Sequence, residues 1–186
     1  MLKTATTKTI YQLLVTLRGV ESSVWRRLEV EDCCLSTLHR IIQAAMGWQD
    51  CHMHCFEIGD QKYTSEDSLG DLDWCSDDSI KLSDIVSEGH DSFIYIYDMG
   101  DHWDHTVKVG KTVVGKSSAR YPRCTGGKRT CPPEDCGGVP GYQEFIRAIC
   151  DPKHEQHDEM LEWVGGKFDP TAFDREEINR ELRRVR

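Results

Sequence analysis

Three cysteines stand close together in a stretch too rich in proline and glycine to form a helix or a central strand. The stretch is CTGGKRTCPPEDCGG, at residues 124–138, and Cys124, Cys131 and Cys136 are separated by six and four residues. Its glycines permit a backbone tight enough for three thiolates to meet at about 2.3 Å from a zinc ion. A structural zinc site needs a fourth ligand. The histidines that offer one are His154 and His157 downstream and His102 and His105 upstream.

The same stretch also suits a rigid turn without a metal. Two adjacent prolines would stiffen it, Glu134 and Asp135 would bond to nearby backbone amides, and the following glycines would supply positive φ angles. The chain has no CxxC pair, which is the usual half-site of small zinc domains. The residues therefore favour the turn over a zinc site, and a redox pair of Cys131 with Cys136 is a third interpretation.

A second polar cluster follows an apolar, aromatic segment. The sequence YDMGDHWDH holds five ionisable residues within eight positions: Asp98, Asp101, His102, Asp104 and His105. Carboxylate oxygens and imidazole nitrogens bind Zn, Mn or Fe, and a site with an open coordination position supports hydrolysis. By strand parity His105 shares an inward face with Trp103, and His54 faces inward from another strand.

These residues also have simpler explanations. A single inward histidine is usually a hydrogen-bonded core residue, and aspartates beside glycine usually form turns. If the two polar segments meet at one edge of the sheet, they would nevertheless frame a binding pocket. The candidate pocket residues are Asp98, Asp101, His102, Trp103, His105, His54, Glu134 and Asp135.

Apolar periodicity indicates the elements that position both segments. Alternation predicts strands at residues 10–17, 24–30, 52–58 and 103–109, and a nearly continuous apolar run predicts a fifth at 92–98. The first two would form a hairpin across Gly19 and the last two a second hairpin. An amphipathic helix at residues 37–46 would begin at Ser36 and end at Gly47. Residues 60–78 are polar and predict a loop, followed by a turn or short helix.

The C-terminal third changes from strand to helix patterns. Helical faces occur at residues 141–150 and 155–164, and a last helix should begin at Asp174, three residues before Glu177. The order hairpin, helix, strand, strand hairpin predicts an α+β fold. We expect a mixed or antiparallel sheet of about five strands in a β-grasp-like order, with the C-terminal helices packed on it.

Length and composition favour a single domain over residues 1–186. It would comprise a sheet core at 9–115, a loop rich in Cys, Pro and Gly at 116–140, and a helical part at 141–186. No apolar run approaches about 18 residues, the length that a membrane-spanning helix needs, and the N-terminus does not resemble a signal peptide. We therefore expect a cytoplasmic protein without a membrane partner, whose nine cysteines are reduced or metal-bound.

The ordered segments of the chain resemble the plasmid pRiA4b ORF-3-like proteins. The segments that carry the resemblance are VWRRLEV, TLHRIIQAAMGW, HMHCFEI, YIYDMGDHWDHTVKV, YPRC, CPPEDCGGVPGY and FDPTAFDREEIN, within about residues 9–182. The resemblance implies an α+β fold and an association with bacterial plasmids and mobile elements. Some relatives carry a resolvase label, but that chemistry needs an activated serine and a basic DNA-binding tail, and this chain is acidic.

Three functions are compatible with these patterns. The first is a non-catalytic binding or accessory module with a polar pocket for a protein or small-molecule partner. The second is a metal-dependent hydrolase, in which Asp101, His105 and His54 hold the ion and Glu134 or Asp135 acts as base. The third, a DNA-associated factor of a mobile element, is disfavoured because a net charge of −9 repels nucleic acid. The cofactor is open, with Zn²⁺ as the candidate.

Overall fold

A computed structural model describes residues 8–185, which form one eight-stranded mixed sheet and six helices. The strands are β1 (Thr9–Leu17), β2 (Trp25–Glu31), β3 (His54–Ile58), β4 (Gln61–Thr64), β5 (Cys75–Ser76), β6 (Ser92–Tyr97), β7 (Trp103–Val114) and β8 (Arg123–Lys128). Their order across the sheet is β5-β4-β3-β6-β7-β1-β2-β8. Neighbouring strands are antiparallel except for β4 and β5, which are parallel.

The predicted sheet of about five strands in a β-grasp-like order is wrong, although the overall α+β class agrees with the structure. The five predicted strands correspond to β1, β2, β3, β6 and β7. The sequence pattern missed β4 and β5, in the segment 60–78 read as loop, and β8, in the Cys/Pro/Gly-rich segment 116–140. These three strands pair at the two ends of the sheet. They are short or glycine-rich, so the neighbouring strand rather than their own apolar pattern specifies them.

The helices are α1 (Leu35–Met46), α2 (Glu66–Leu69), α3 (Leu82–Ser87), α4 (Gly138–Cys150), α5 (His157–Trp163) and α6 (Arg175–Leu182). Helix α1 begins two residues earlier than predicted, after Cys34 rather than Ser36, and ends at Gly47 in the left-handed conformation. Asp174 begins α6 as expected, since its side chain accepts hydrogen bonds from the backbone N–H groups of Glu176 and Glu177. None of the helices in residues 8–185 is long and apolar enough to cross a membrane.

The core lies between the sheet and α1, which turns Leu38, Ile42 and Ala45 inward. Aromatic side chains from β3, β6 and β7 fill its centre, among them Tyr95 and Trp103, both fully buried. Helix α6 packs against α1 and β8, and α4 packs against α5. This arrangement leaves the turn after β6 and the segment before α4 at one place on the molecule, where they form the candidate site.

Candidate functional site

The turn after β6 is held in a fixed shape by the carboxylate of Asp98. This residue has a φ of 60°, and its Oδ1 accepts hydrogen bonds from the backbone N–H of Gly100 at 2.8 Å and of Asp101 at 3.2 Å. The backbone N–H of Asp98 donates to the carbonyl of Met53 at 2.9 Å, which ties the turn to the start of β3. The second oxygen, Oδ2, takes no part in the turn.

The turn contacts the double-proline segment directly. The backbone N–H of Gly137 donates to Oδ2 of Asp101 at 3.1 Å. Gly138, with a φ of 65°, lies so close that a Cβ atom there would collide with the carbonyl oxygen of Asp101. We call the contact between residues 98–102 and 132–138 the polar junction. The structure therefore brings together the two polar segments that the sequence analysis singled out.

One histidine and two aspartates converge at the polar junction. Nε2 of His52 lies 2.9 Å from Oδ1 of Asp135 and 3.7 Å from Oδ2 of Asp98, and the three donor atoms lie within 4.8 Å of one another. Although Nε2 is enclosed, its approach to Asp135 lacks hydrogen-bond geometry, and it has no other partner among residues 8–185. Asp98 is nearly buried, whereas the Asp135 side chain is 70% exposed, so the cluster opens to solvent.

These separations suit a shared cation. Two donors bound at about 2.1 Å to one ion are about 3.0 Å apart at a right angle and about 3.4 Å apart at the tetrahedral angle. The measured 2.9 and 3.7 Å lie close to these values. One imidazole and two carboxylates form a donor set that Zn²⁺, Mn²⁺ and Fe²⁺ accept. Three protein ligands leave further coordination positions for water or a ligand.

Glu134, a candidate base, is occupied in holding the double-proline segment. Its Oε1 accepts from the backbone N–H of Gln49 at 2.7 Å, and the hydroxyl of Tyr97 donates to the same carboxylate at 3.2 Å. Burial, reinforced by the charge of Glu134, raises the pKa of Tyr97, so this hydroxyl stays protonated as a donor. The indole Nε1 of Trp48 donates to the carbonyl of Pro132 at 2.9 Å, which fixes the segment a second time.

His54 belongs to a buried network below the site and not to the cluster itself. Its Nε2 lies 2.8 Å from Oδ2 of the buried Asp77, and its ring stacks on that of His39 with centroids 3.6 Å apart. His39 in turn bonds to Asp50 through Nε2 at 2.6 Å and to the Tyr95 hydroxyl through Nδ1 at 2.8 Å. Burial lowers the pKa of His39, which favours its neutral form.

The remaining predicted pocket residues are divided between core and surface. His105 is fully buried with Nδ1 3.3 Å from the carbonyl of Tyr95, and its Nε2 has no partner in the described chain. Burial lowers the pKa of His105 to about 4. Trp103 is fully buried as well, whereas His102 is exposed and bonds to Asp104 at 2.8 Å. The structure thus does not bring Asp101, His105 and His54 together as a ligand set.

Two of the three candidate zinc ligands have separate environments. The thiol of Cys131 is buried, accepts from Nη2 of Arg26 at 3.0 Å and lies 3.1 Å from the sulfur of Met46. Burial raises its pKa to about 11. Cys124 is buried in β8 and its thiol donates to the carbonyl of Gly126 at 3.3 Å. Both sulfurs behave as small core groups rather than as thiolates.

Cys136 lies in the double-proline segment of the polar junction, and His157 is the first residue of α5. Burial and the charge of Asp101 raise the pKa of Cys136 to about 12. Nδ1 of His157 lies 2.9 Å from the carbonyl of Ala148 in α4. Within residues 8–185, one group of three or more His, Cys, Asp or Glu donors converges, and it consists of His52, Asp98 and Asp135. The three thiols therefore do not meet at one point.

Comparison with known proteins identifies the family. The model of the plasmid pRiA4b ORF-3-like proteins matches residues 9–177. The chain belongs to this family. The resemblance drawn from the ordered sequence segments is thereby confirmed.

Two relatives of this pRiA4b ORF-3-like protein show how far the similarity extends. The uncharacterised protein y4hQ of Sinorhizobium fredii (strain NBRC 101917 / NGR234) is 40% identical over 183 residues, which cover 93% of this chain and 90% of the relative. A crystal structure of MM3350, a protein of unknown function from Methanosarcina mazei Go1, is 36% identical with a TM-score of 0.85. That match covers 92% of this chain and 98% of the other.

His52 is the one member of the cluster that was not among the residues predicted from the sequence of this pRiA4b ORF-3-like protein. The pattern predicted a strand from residue 52, whereas β3 begins at His54. The two histidines are two positions apart, and strand parity would have placed both on one face. That spacing was the available signal. Asp98 and Asp135 were both among the predicted pocket residues.

Proposed function

We propose that this protein is a non-catalytic binding module whose polar junction holds a divalent transition-metal cation. The observation that carries the proposal is the convergence of His52 Nε2, Asp98 Oδ2 and Asp135 Oδ1 within 4.8 Å of one another. The enclosed Nε2 has no hydrogen-bond partner in the described residues, which costs free energy unless something else binds it. A cation would satisfy this nitrogen and offset the repulsion between the two carboxylates.

Several contacts favour binding over hydrolysis at this junction. A metal-dependent hydrolase needs a base that is free to take a proton from a metal-bound water. Of the two predicted bases, Asp135 would itself be a ligand of the ion, and Glu134 already accepts hydrogen bonds from Gln49 and Tyr97. The net charge of −9 also disfavours the interpretation as a DNA-associated factor. A protein or small-molecule partner could instead complete the open positions around the cation.

Titration of the metal-free, untagged protein with Mn²⁺ tests the proposal. Manganese is the first probe because it prefers carboxylate and imidazole donors, whereas Zn²⁺ also binds thiolates and the chain has nine cysteines. We expect one Mn²⁺ per chain by calorimetry. The variant His52→Gln should weaken binding by at least about tenfold, because it removes the nitrogen ligand. The matched control is His102→Gln, which removes an exposed imidazole of the same junction that bonds to Asp104 and is not part of the cluster.

Three results would overturn the proposal. The first is that the wild-type protein binds neither Mn²⁺ nor Zn²⁺. The second is that His52→Gln and His102→Gln bind Mn²⁺ equally well, which would place the ion elsewhere. The third is that Zn²⁺ binding survives His52→Gln but is lost in Cys131→Ser, which would assign the ion to the cysteines.

A further inference from the structure

A pocket between β8 and α6 is lined by four arginines, which is unusual in a chain of net charge −9. Its volume is about 440 Å³, within the range of about 300–1,000 Å³ that is typical of small-molecule sites. The pocket lies outside the polar junction and shares no lining residue with it. The charged and other polar side chains that line it are Arg120, Arg123, Thr125, Arg175, Glu176, Asn179 and Arg183.

The two walls of the pocket are locked to each other by one side chain. Oδ1 of Asn179, on α6, accepts from the backbone N–H of Cys124 at 2.9 Å, and its Nδ2 donates to the carbonyl of the same residue at 3.0 Å. This paired contact fixes α6 on the edge strand β8. A ligand that binds both walls therefore does not have to order them first, which lowers the cost of binding.

The charges in the pocket are only partly neutralised by neighbours. Arg123 is paired with Glu29, whose Oε2 lies 2.7 Å from its Nε and 2.6 Å from its Nη2. Arg175 lies 3.1 Å from the exposed Glu176. Arg120 and Arg183 have no ion pair with any residue in the range 8–185. About two positive charges therefore remain for a ligand, which matches the charge of about −1.5 to −2 on a phosphate monoester at pH 7.

We propose that this pocket binds the phosphate group of a small phosphorylated molecule. The planar guanidinium offers a fork of N–H donors that fits phosphate oxygens in pairs, and charge-assisted bonds of this kind are among the strong ones. Here such forks approach from both walls, from Arg120 on the loop before β8 and from Arg183 at the end of α6. A nucleic acid is the poorer occupant, because the site is a single concave pocket on an acidic protein and not an extended basic surface.

Calorimetric titration with inorganic pyrophosphate tests this site. The protein is treated with EDTA and the titration is run without divalent ions, so that the result does not depend on the cation at the polar junction. We expect one saturable site per chain. The variants Arg183→Gln and Arg120→Gln should each weaken binding by about tenfold, since each removes a charge-assisted contact. Both arginines are exposed, so neither variant should lose the fold.

Arg180→Gln is the matched control, because it removes the same charge from the same helix but at a position that does not line the pocket. It should leave the pyrophosphate affinity within about twofold of the wild type. Equal weakening in Arg180→Gln and Arg183→Gln would overturn the proposal, since the effect would then be one of general charge. Absence of pyrophosphate binding would overturn it too. A protein that binds a single-stranded oligonucleotide but not pyrophosphate would also contradict the proposal.

Discussion

The close approach of Gly138 to Asp101 predicts a large difference between two neighbouring glycine substitutions. Both Gly137 and Gly138 have positive φ angles, 87° and 65°, which cost an alanine about 1 kcal/mol. At Gly137 the new Cβ would lie 3.6 Å from Gly141 Cα, which is an ordinary contact. At Gly138 it would lie well inside the 3.0 Å that real Cβ atoms keep from the carbonyl oxygen of Asp101.

The collision at Gly138 adds to the backbone cost because a backbone carbonyl, unlike a flexible side chain, cannot move aside alone. Forcing atoms into a packed site costs about 1–3 kcal/mol. Gly138→Ala should therefore destabilise the protein by about 3 kcal/mol and Gly137→Ala by about 1 kcal/mol. With a urea m-value of about 2 kcal/mol/M, the unfolding midpoint should fall by about 1.5 M for the first variant and about 0.5 M for the second.

Equilibrium urea unfolding, followed by far-UV circular dichroism, measures both midpoints. Gly165→Ala provides a further control, because its φ is 86° and its Cβ would meet nothing within 4 Å. It should behave like Gly137→Ala. If Gly138→Ala had the same midpoint as these two controls, the contact between the two turns would carry no energetic weight. The geometry of the polar junction would then rest on other interactions.

Two more predictions concern the buried polar groups. Because burial lowers the pKa of His105 from 6.5 to about 4, the unfolded chain takes up a proton at a higher pH than the folded chain. The free energy of unfolding should therefore fall by up to about 3 kcal/mol as the pH falls from 6.5 to 4. Urea unfolding at several pH values measures this dependence, and His105→Asn should make it weaker. An equal pH dependence in the variant and the wild type would contradict the low pKa of His105. Asn179→Ala should lower the free energy of unfolding by about 2 kcal/mol, because it leaves the backbone N–H of Cys124 unpaired. Asn179→Asp keeps the acceptor oxygen and should lower it by less. Equal losses in urea unfolding would show that the Asn179 oxygen does not hold α6 on β8.

The central part of the fold could be predicted because its strands carry their own apolar pattern. Strand β6, for example, is a nearly continuous apolar run that packs Phe93, Tyr95 and Tyr97 into the core. The strands at the sheet ends lack such a pattern. Strand β8 contains Gly126 and Gly127, which disfavour a strand by local preference, yet pairing with β2 holds it extended. Pairing of this kind depends on residues that are far apart in the sequence, so the apolar pattern of one short segment does not reveal it.

The candidate site could be predicted in part for a similar reason. Asp98 and Asp135 each stand two residues before a glycine, in segments that the sequence marks as turns, so both were identified by residue type alone. Which donor atoms converge depends on backbone angles, such as the positive φ of Asp98 and Asp135, that the sequence pattern does not specify. His52 lies outside β3, and its position follows from the hydrogen bond between Met53 and Asp98 that closes the site.

The origin of the three donor atoms links cation binding to the stability of the fold. His52, Asp98 and Asp135 come from three segments that only the folded chain holds together, so the proposed cation would stabilise the native state and not the unfolded one. At a concentration of one hundred times Kd this stabilisation is about 2.7 kcal/mol. That is close to the cost expected for Gly138→Ala, and both act on the contact between the same two turns. The close approach at Gly138 holds the junction together through its shape, and the proposed cation at His52 would hold the same junction together through its charge.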